Sequence, residues 1–420
     1  MNSRPRIELI CSGTELLRDK INSNSILVAE KLSSIGLSLS QVTTVGDVAA
    51  DMEHALKDAL ERSAVVLCSG GLGPTFDDLT RECASKVLKK PLIFSQKILD
   101  RIQAKFKAVG RPMAAENARQ AYVLKGASPI INSVGTAPGQ IIPVKAKTVF
   151  LLPGPPSELA PMMDSTVLPF LRKKSPNVFS KTLVLHIFGY PESEIDEVIE
   201  PVISRNWNSP GVAVIFGILA HRSIIDVKVT VQSKSSAADR KVLADIRKAL
   251  YGILGDKIYG EDEETLESVV GSLLKKKGLI LSLAESCTGG LLASKITRIA
   301  GSSDYFHRGL ITYSDASKID LLGVKHQTLK KFGAVSEETA REMALGCLKR
   351  SGSNWALSVT GIAGPSGGSK EKPVGTVCFG VASRAGVKTF TKHFNYGGRA
   401  QIQERAALTA LDTLRKAIRL

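Results

Sequence analysis

The segment Val65–Thr80 reads VVLCSGGLGPTFDDLT, and it places a short apolar run directly before a glycine-rich turn. Val65–Leu67 is apolar and β-branched, as expected for a buried strand. Ser69–Pro74 contains three glycines and a proline, which interrupt regular structure. A helix is predicted after the turn, over Arg81–Leu88. A strand that passes through a tight turn into a helix is the building unit of a parallel, doubly wound sheet.

The same alternation extends through the first 172 residues. Strand and helix patterns occur, in chain order, at Ile7–Cys11, Asn24–Ile35, Leu37–Thr44, Met52–Arg62 and Val149–Leu152. We therefore predict that residues 1–172 form a doubly wound α/β domain.

Two further domains are predicted from the patterns that follow. Residues 173–256 have strand patterns at Lys181–Phe188 and Ile224–Gln232 and helix patterns at Ser193–Ile203 and Ala237–Leu250, which indicate a small α+β module. Residues 257–420 have apolar strands at Leu279–Leu283, Ala356–Val359 and Thr376–Val381, and helices at Leu266–Lys276, Gly290–Ile299, Glu337–Lys349 and Ala400–Ile418. This last pattern predicts an α/β/α domain.

Composition favours a cytoplasmic protein, and its positive charge is either generic basicity or a means of attracting phosphate-bearing small molecules. The start of the chain does not read as a signal peptide, no apolar run is long enough to span a membrane, and six scattered cysteines form no CxxC pair. The net charge is +16, with excesses of 5, 2 and 9 over residues 1–172, 173–256 and 257–420. Because this charge is spread out and aromatic residues make up only 5%, a base-stacking platform for nucleic acid is not indicated.

The turn at Ser69–Pro74 has the composition of a phosphate cradle. Glycines let backbone N–H groups approach an anion, and the following helix N-terminus favours negative charge. Asp77 and Asp78 add two carboxylates, the ligand type that Mg²⁺ prefers. The alternative is an ordinary strand–helix turn capped by Asp or Thr.

Other polar and glycine-rich clusters also follow predicted strands. They are Ser12–Leu17, Gly46–Asp47, Gly135–Gly139 and Pro153–Glu158. Open α/β sheets bind ligands beyond the carboxyl ends of their strands, so these loops are expected to meet at one crevice.

A second candidate site lies in residues 279–290, LILSLAESCTGG, where an apolar strand turns into a helix. A nucleophile in such a turn is exposed, and the helix N-terminus stabilises developing negative charge. Ser286 and Cys287 are both candidate nucleophiles. His307 and Lys318 are candidate bases, although each could equally be structural or lie on the surface.

The motifs of the first domain resemble the N-terminal domain of the CinA (competence/damage-inducible) family, which is similar to the molybdopterin-binding domain of MogA-like proteins. The resemblance implies a nucleotide site with ADP-ribose pyrophosphatase activity and Mg²⁺ or another divalent cation at Asp77 and Asp78. The residues that it implies for nucleotide binding are Gly13, Glu15, Asn24, Asp47, Gly70, Gly71, Gly73, Thr75, Thr136, Pro153, Gly154 and Glu158. Thr14 departs from the acidic or amide residue common at its position.

The last domain resembles the CinA C-terminal domain, a nicotinamide mononucleotide (NMN) deamidase described as a Ser/Lys amidohydrolase. The resemblance implies Ser286 as nucleophile, Lys318 as base and Tyr313 beside them, with no metal required. Backbone N–H groups of Cys287–Gly290 are expected to hold the oxyanion. The residues that it implies for NMN binding are Glu285, Cys287, Thr288, Gly289, Gly290, Gly361, Ala363, Gly364 and Arg399. Gly398 departs from the acidic residue usual before this arginine.

The middle module resembles the KH-like linker domain of the same family. Gly252–Gly255 has GxxG spacing, but its apolar centre is not typical of an RNA clamp. Two alternatives to the hydrolase therefore stay open. One is a competence-associated nucleic-acid-binding protein, and the other is a molybdopterin- or adenylate-binding protein without hydrolysis. The resemblance also suggests a homodimer, with NMN and ADP-ribose as substrates and no membrane partner.

Overall fold

The computed structural model describes residues 5–175, 179–221, 223–233, 236–395 and 397–419. The chain divides into two compact units. The first comprises Met1–Lys181, Asn208–Ala213 and Val231–Lys241, and the second comprises Thr182–Trp207, Val214–Thr230 and Val242–Leu420. Within the described ranges, none of the helices combines the length and the apolar character of a membrane-spanning segment. The predicted domain boundaries after residues 172 and 256 stay predictions.

In the described residues 5–175, the first unit has eight strands and six helices. The strands are β1 (Ile7–Ser12), β2 (Gln41–Val45), β3 (Val65–Ser69), β4 (Leu92–Phe94), β5 (Tyr122–Leu124), β6 (Ser128–Ile130), β7 (Gly139–Val144) and β8 (Lys147–Leu152). The helices are α1 (Ser23–Ser33), α2 (Ala49–Arg62), α3 (Thr80–Leu88), α4 (Gln96–Ala108), α5 (Pro156–Met162) and α6 (Leu168–Lys174), the last two joined by a π-helical turn, Met163–Val167.

The main sheet of this unit has the order β2-β1-β3-β8-β7-β6. Its first four strands are parallel, and β7 and β6 add an antiparallel edge. Leu9, Leu67 and Phe150 face one apolar core, whereas Val66 and Leu151 face another. Burial on both faces explains why these strands are continuous apolar runs, and the predicted doubly wound α/β class is confirmed.

One predicted strand of this unit is shorter than expected. The pattern over Leu37–Thr44 indicated a strand, but β2 begins only at Gln41. The Leu37 N–H donates to the carbonyl of Leu32, and Gly36 adopts a φ of 74° at the end of α1. The backbone at Leu37 therefore caps a helix and is not available for sheet pairing.

The middle module is a four-stranded sheet with two helices. Its elements are β9 (Phe179–Phe188), α7 (Glu192–Ile203), β10 (Val212–His221), β11 (Ile224–Ser233), α8 (Ser236–Leu254) and β12 (Ile258–Glu261), with the sheet order β10-β11-β9-β12. No strand is predicted at β10 from the sequence, and over most of its length its residues alternate between half-buried and exposed. The predicted α+β character is confirmed.

The C-terminal part of the second unit is an α/β/α sandwich, as predicted. Its elements are α9 (Leu266–Lys277), β13 (Leu281–Glu285), α10 (Leu291–Thr297), β14 (Phe306–Ile311), α11 (Asp315–Leu322), α12 (His326–Phe332), α13 (Glu337–Ser351), β15 (Trp355–Gly361), β16 (Thr376–Ser383), β17 (Gly386–His393) and α14 (Arg399–Arg419).

The sheet of this sandwich has the order β14-β13-β15-β16-β17. Strand β13 is parallel to both of its neighbours, and β16 and β17 continue as antiparallel strands. Leu283 and Leu357 pack with helices α9 and α14 in one apolar core, and Ala284 and Ala356 pack with α13 in another. Strand β13, an interior strand of the sheet, is therefore buried on both faces. It ends at Glu285, where the Ser286 turn begins.

Helix α14 is tied to the start of β12 by a buried arginine. Arg415 is fully buried, and its guanidinium donates to the Asp412 carboxylate at 2.8 Å and to the carbonyls of Ile258 and Asp256 at 3.2 and 2.8 Å. A buried charge is tolerated only when its hydrogen bonds are satisfied, so this contact is expected to be specific to arginine.

We expect Arg415→Ala to lower the free energy of unfolding of the second unit by about 3–5 kcal/mol, because the Asp412 carboxylate and the carbonyls of Ile258 and Asp256 each lose a buried, charged donor. Scanning calorimetry of the full chain measures this as a lower transition temperature. Arg419→Ala is the matched control at the more exposed end of the same helix and should change stability by less than about 0.5 kcal/mol. Equal transition temperatures for the two variants would show that Arg415 does not hold the helix.

Candidate active sites

Ser286 lies immediately after β13, in the turn that leads into α10. Its N–H donates to the carbonyl of Val359 on the adjacent parallel strand β15, at 2.9 Å. The side chain is only 8% exposed. The hydrogen bonding between β13 and β15 therefore extends to Ser286 and holds this residue at the carboxyl end of the sheet.

Lys318 is the partner of this hydroxyl. Its Nζ lies 3.2 Å from Ser286 Oγ and donates to the carbonyl of Thr312 at 2.9 Å. Lys318 is 1% exposed, and burial lowers its pKa below the ordinary lysine value, while Asp315 and Cys287 act in the opposite direction. A lysine in this environment can reach the neutral form that acts as a base.

The helix that carries Lys318 is defined by its two ends. Ser314 and Ser317 form a capping box at the start of α11, and Gly323 closes the helix with a φ of 70°. Lys318 therefore lies in the first turn of a short helix with fixed limits. The other candidate base, His307, is exposed and hydrogen-bonds to Arg308 at 2.8 Å, and the described structure shows no contact between it and Ser286.

Glu285 has a different place from the one predicted. It was expected to contact substrate, but its side chain is fully buried. Its carboxylate accepts hydrogen bonds from the N–H groups of Gly290, Leu292 and Ala293, at 3.0, 3.1 and 2.8 Å. Glu285 thus satisfies the free donors at the start of α10 and shapes the nucleophile turn from within.

These hydrogen bonds reduce the number of N–H groups in the turn that are available to an oxyanion. The Gly289 N–H donates to the carbonyl of Ser286 at 3.0 Å, and the Gly290 N–H is taken by Glu285. Neither N–H can therefore hold an oxyanion without losing a bond. Within the described part of the chain, the N–H groups of Cys287 and Thr288 show no acceptor, and the Thr288 hydroxyl, which is 97% buried, has no partner. The predicted set Cys287–Gly290 is corrected to the first two residues.

A residue absent from the sequence prediction positions this turn. Gln403 Nε2, on α14, donates to the carbonyl of Cys287 at 2.7 Å. Because a peptide's N–H points opposite to its C=O, this bond fixes the direction of the Thr288 N–H. Gln403 follows Arg399 by one helical turn, a spacing that could have suggested it. The Cys287 thiol is buried, which raises its pKa to about 12, so it is not a competing thiolate.

Arg399 connects the remaining predicted groups at the mouth of the site. Its guanidinium donates to the carbonyl of Gly364 and to the Tyr313 hydroxyl, both at 2.8 Å. Tyr313 is 61% exposed, and its hydroxyl therefore lies at the entrance with Arg399. Gly361 ends β15, and Ala363 is buried in the loop that follows.

The residues predicted for the first site line a single cavity of about 690 Å³ in the first unit. These are Gly13, Glu15, Asn24, Asp47, Gly70, Gly71, Gly73, Thr75, Asp77, Asp78, Thr136, Pro153, Gly154 and Glu158. The sequence prediction missed Lys20 and Gln120, which also line it. The strands β1, β2, β3 and β8 end in register, and this brings their loops together.

The glycine-rich loop of this cavity is held by two arginines. Arg81, which is 2% exposed, donates to the carbonyls of Leu72 and Gly73, at 2.6 and 3.2 Å. Arg119 donates to the carbonyl of Thr75 at 2.6 Å. Gly70 adopts a φ of 106°, and a Cβ there would lie 2.3 Å from the carbonyl oxygen of Ser12. The loop is therefore rigid before any ligand binds.

Asp47 and Asn24 connect the remaining strand ends. The Asp47 carboxylate accepts from the N–H of Thr14 at 2.8 Å, and Thr14 Oγ1 accepts from the N–H of Asp47 at 3.0 Å. Thr14 thus has a structural role. Asn24 Nδ2 donates to Ser69 Oγ and to the carbonyl of Gly154, at 2.9 and 2.6 Å, whereas its buried Oδ1 has no partner among the described residues.

The residues around Asp77 and Asp78 fit a divalent cation that shares its ligands with a substrate. Both carboxylates line the cavity, and Asp78 Oδ2 accepts from the N–H of Thr75 at 2.9 Å. In the part of the chain that the structure describes, no three His, Cys, Asp or Glu side chains converge as a metal set. Mg²⁺ commonly takes one or two carboxylates and completes its shell with phosphate oxygens and water, so two carboxylates are compatible with such an ion.

The GxxG spacing of the middle module does not form a loop. Gly252, Ile253 and Leu254 are the last residues of α8, and Gly255 begins a 3₁₀ turn, Gly255–Lys257. The backbone of a helix end is engaged in its own hydrogen bonds and cannot clamp a nucleic-acid backbone as a KH loop does.

Comparison with known proteins covers nearly the whole chain. Residues 8–173 match a probable molybdopterin binding domain, residues 182–260 the KH domain of damage-inducible protein CinA, and residues 263–418 the CinA C-terminal domain. A CinA-like protein of Endomicrobium trichonymphae is 44% identical over 421 residues, and a putative competence-damage inducible protein of Caldicellulosiruptor saccharolyticus is 43% identical over 413 residues. Each alignment covers 98% of both proteins.

The crystal structure of competence/damage inducible protein CihA from Agrobacterium tumefaciens is 46% identical, covering 37% of this chain and 94% of that chain, with a TM-score of 0.36. The resemblance seen in the sequence motifs is confirmed by the full-length relatives. Because the two full-length relatives are 44% and 43% identical to this chain over 98% of its length, the chain belongs to the CinA family.

Proposed function

We propose that the second unit is a serine amidohydrolase that converts NMN to nicotinate mononucleotide and ammonia. The observation that carries the proposal is the 3.2 Å contact between Lys318 Nζ and Ser286 Oγ, made by a lysine that is 1% exposed. Burial favours the neutral amine, and a neutral amine beside a serine hydroxyl is a base positioned next to its nucleophile. The choice of NMN rests on the resemblance of the surrounding motifs to the family's deamidase domain.

The first half of the reaction forms an ester. Neutral Lys318 accepts the proton of Ser286 as the serine oxygen attacks the carboxamide carbon. The carbonyl oxygen becomes an oxyanion, for which the N–H groups of Cys287 and Thr288 and the Thr288 hydroxyl supply donors. When the intermediate collapses, the C–N bond breaks, Lys318 returns its proton to the departing nitrogen, and ammonia leaves.

The second half returns the enzyme to its starting state. Lys318 takes a proton from water, and the resulting hydroxide attacks the ester carbon. The C–O bond to Ser286 breaks, and the proton on Lys318 passes to the serine oxygen. The product is nicotinate mononucleotide, whose new carboxylic acid loses its proton to the solvent to become the carboxylate. Arg399 at the mouth carries the charge that suits the substrate's phosphate, a contact that would be made as its bond to Tyr313 is exchanged.

We expect Ser286→Ala to abolish ammonia release from NMN, because the oxygen that forms the ester is removed. Cys287→Ala should retain turnover, since the neutral, buried thiol is not the attacking group. Both substitutions are small, and circular dichroism checks that the fold is kept. Ammonia release by the serine variant together with loss in the cysteine variant would reverse the assignment.

We expect deamidation to rise with pH through an apparent pKa below the ordinary lysine value, because only neutral Lys318 accepts a proton and burial lowers its pKa. At low pH the ammonium form dominates, and activity is lost. Lys318→Arg should lower kcat by about 100-fold or more, because a guanidinium does not deprotonate. The measurement is a pH–rate profile for the parent and the variant. Near-parental rates in Lys318→Arg would transfer the role of base to another group, with Tyr313 first to be tested.

We also propose that the first unit hydrolyses the pyrophosphate of ADP-ribose. This second function is supported by the cavity of about 690 Å³, where a rigid glycine-rich loop meets Asp77 and Asp78. The two carboxylates would hold a divalent cation, which when bound supplies positive charge beside the pyrophosphate. The N–H groups of the loop bind and orient the phosphates, and the arginines behind it keep those groups in place.

We expect Asp78→Asn to reduce ADP-ribose turnover by about tenfold or more, because a charged ligand of the cation becomes neutral. NMN deamidation should not change, since it uses residues of the other unit. AMP and ribose 5-phosphate are measured by chromatography, with and without a chelator. Full turnover in the chelator would contradict the metal role, and binding without products would reduce the first unit to a nucleotide- or molybdopterin-binding domain.

A further inference from the structure

The second unit contains a cleft that is lined in part by α14, at residues distant in sequence from Arg399. Its volume is about 580 Å³, within the range of small-molecule sites. Three segments and Ser223 line it. The segments are the β9–α7 turn at Phe188–Pro191, the end of β17 at Phe390–Phe394, and the α14 stretch Arg405–Lys416. We call it the α14 cleft. The lining residues include neither Ser286 nor Lys318, so it is separate from the proposed deamidase site.

The walls of the α14 cleft combine aromatic rings with positive charge. Phe390, Phe394 and Tyr190 line it, and Phe390 and Phe394 are only partly buried. Lys392 and Lys416 are the lysines that border the same space. A planar ring packs well against such surfaces, because aromatic side chains bury large apolar area and interact with one another at defined geometries.

The charge of the α14 cleft is complementary to an anion. Its basic residues are Lys392, Arg405 and Lys416, and its single acidic lining residue is Asp412. The Asp412 carboxylate is already held by Arg415 and Lys416, both at 2.8 Å. The negative charge is therefore neutralised from within the helix, and the net field of the walls is positive.

The lining side chains of α14 are polar residues on one face of the helix. Arg405, Thr409, Asp412 and Lys416 recur at helical spacing. Arg405 also donates to the Ser223 hydroxyl at 2.7 Å, which connects the middle module to this face. A cavity with apolar rings and a few convergent cationic groups is the usual form of a site for a ligand with an aromatic and an anionic part.

We propose that the α14 cleft is a second ligand site and that it binds a nucleotide, a planar base joined through a sugar to phosphate. The rings supply the surface for the base, and Lys392, Arg405 and Lys416 supply donors for the phosphate. Neither the proposed deamidation nor the proposed pyrophosphate hydrolysis uses these residues. The site is therefore an addition to both functions.

The test is photoaffinity labelling of the full-length protein with 8-azido-AMP, followed by mapping of the labelled peptides. Mapping is needed because the first unit is also proposed to bind nucleotides. We expect labelled residues within 188–191, 390–394 or 405–416, and protection by excess AMP. Adenosine and inorganic phosphate, each offered alone, should protect far less, because each engages only half of the site. Labelling confined to the loop at residues 70–80, or equal protection by adenosine and AMP, would overturn the proposal.

Two variants test the charged contact to the phosphate and the aromatic contact to the base separately. Lys392→Glu should weaken AMP protection of the cleft peptides by about tenfold or more, the loss expected for one charged contact to phosphate. Tyr190→Ala should weaken it through the loss of a ring. Lys388→Glu is the matched control, since it makes the same charge change on an exposed residue of β17 that does not line the cleft. Unfolding temperatures monitor folding, and Lys392→Ala replaces Lys392→Glu if charge reversal destabilises the chain. Parental protection in a folded Lys392 variant would refute the phosphate contact.

Discussion

The contact between the Lys318 amine and the Ser286 hydroxyl is the constraint on which the second unit depends. A buried lysine loses its hydration, and its charged form is disfavoured more than its neutral form. The fold limits this cost with one carbonyl acceptor, that of Thr312. The first turn of α11 also presents the positive end of a helix dipole, which further disfavours an ammonium group. The proposed base is thus a consequence of where α11 begins and how deeply it is buried.

In both candidate sites, side chains hydrogen-bond to backbone groups of the loop and hold the loop in place. Glu285 takes up three N–H groups of the Ser286 turn, and Gln403 takes up a carbonyl of the same turn. In the first unit, Arg81 takes up the carbonyls of Leu72 and Gly73. Such groups leave selected N–H donors directed at the ligand without rearrangement on binding, which is the condition for electrostatic preorganisation. The groups that do this need not touch the ligand.

Parallel strands account for where the sites lie. In each unit the loops that carry predicted residues follow adjacent strands with matched ends, Ser69 beside Leu152 in one and Glu285 beside Val359 in the other. Side chains far apart in the sequence therefore meet at one edge of a sheet. Helix α14 contributes at two places in this arrangement, because Gln403 contacts the Ser286 turn and Arg399 contacts Gly364, while its later residues line the α14 cleft.

The sequence by itself determined the class of each domain and supplied the candidate site residues. Apolar runs followed by glycine-rich turns indicate strands of a parallel sheet, because burial on both faces leaves no room for polar alternation. Strand β10 was not predicted although its sequence is an apolar run, and Leu37 was misassigned because a helix cap uses its backbone. Local patterns record burial and turn chemistry, but they do not record which backbone groups are already paired.

Only the tertiary structure decided which candidates act together. Lys318 and His307 were both candidate bases from the residues alone, and the family resemblance favoured Lys318. In the structure Lys318 is buried against Ser286, whereas His307 is exposed. Glu285 was predicted to bind substrate, but its carboxylate accepts hydrogen bonds from N–H groups at the start of α10. The role of Gln403 was not predicted, because it depends on α14 crossing the Ser286 turn. Chemistry is a property of residue types and can be read along the chain, whereas desolvation and proximity depend on segments that are distant in sequence and meet only in the folded protein.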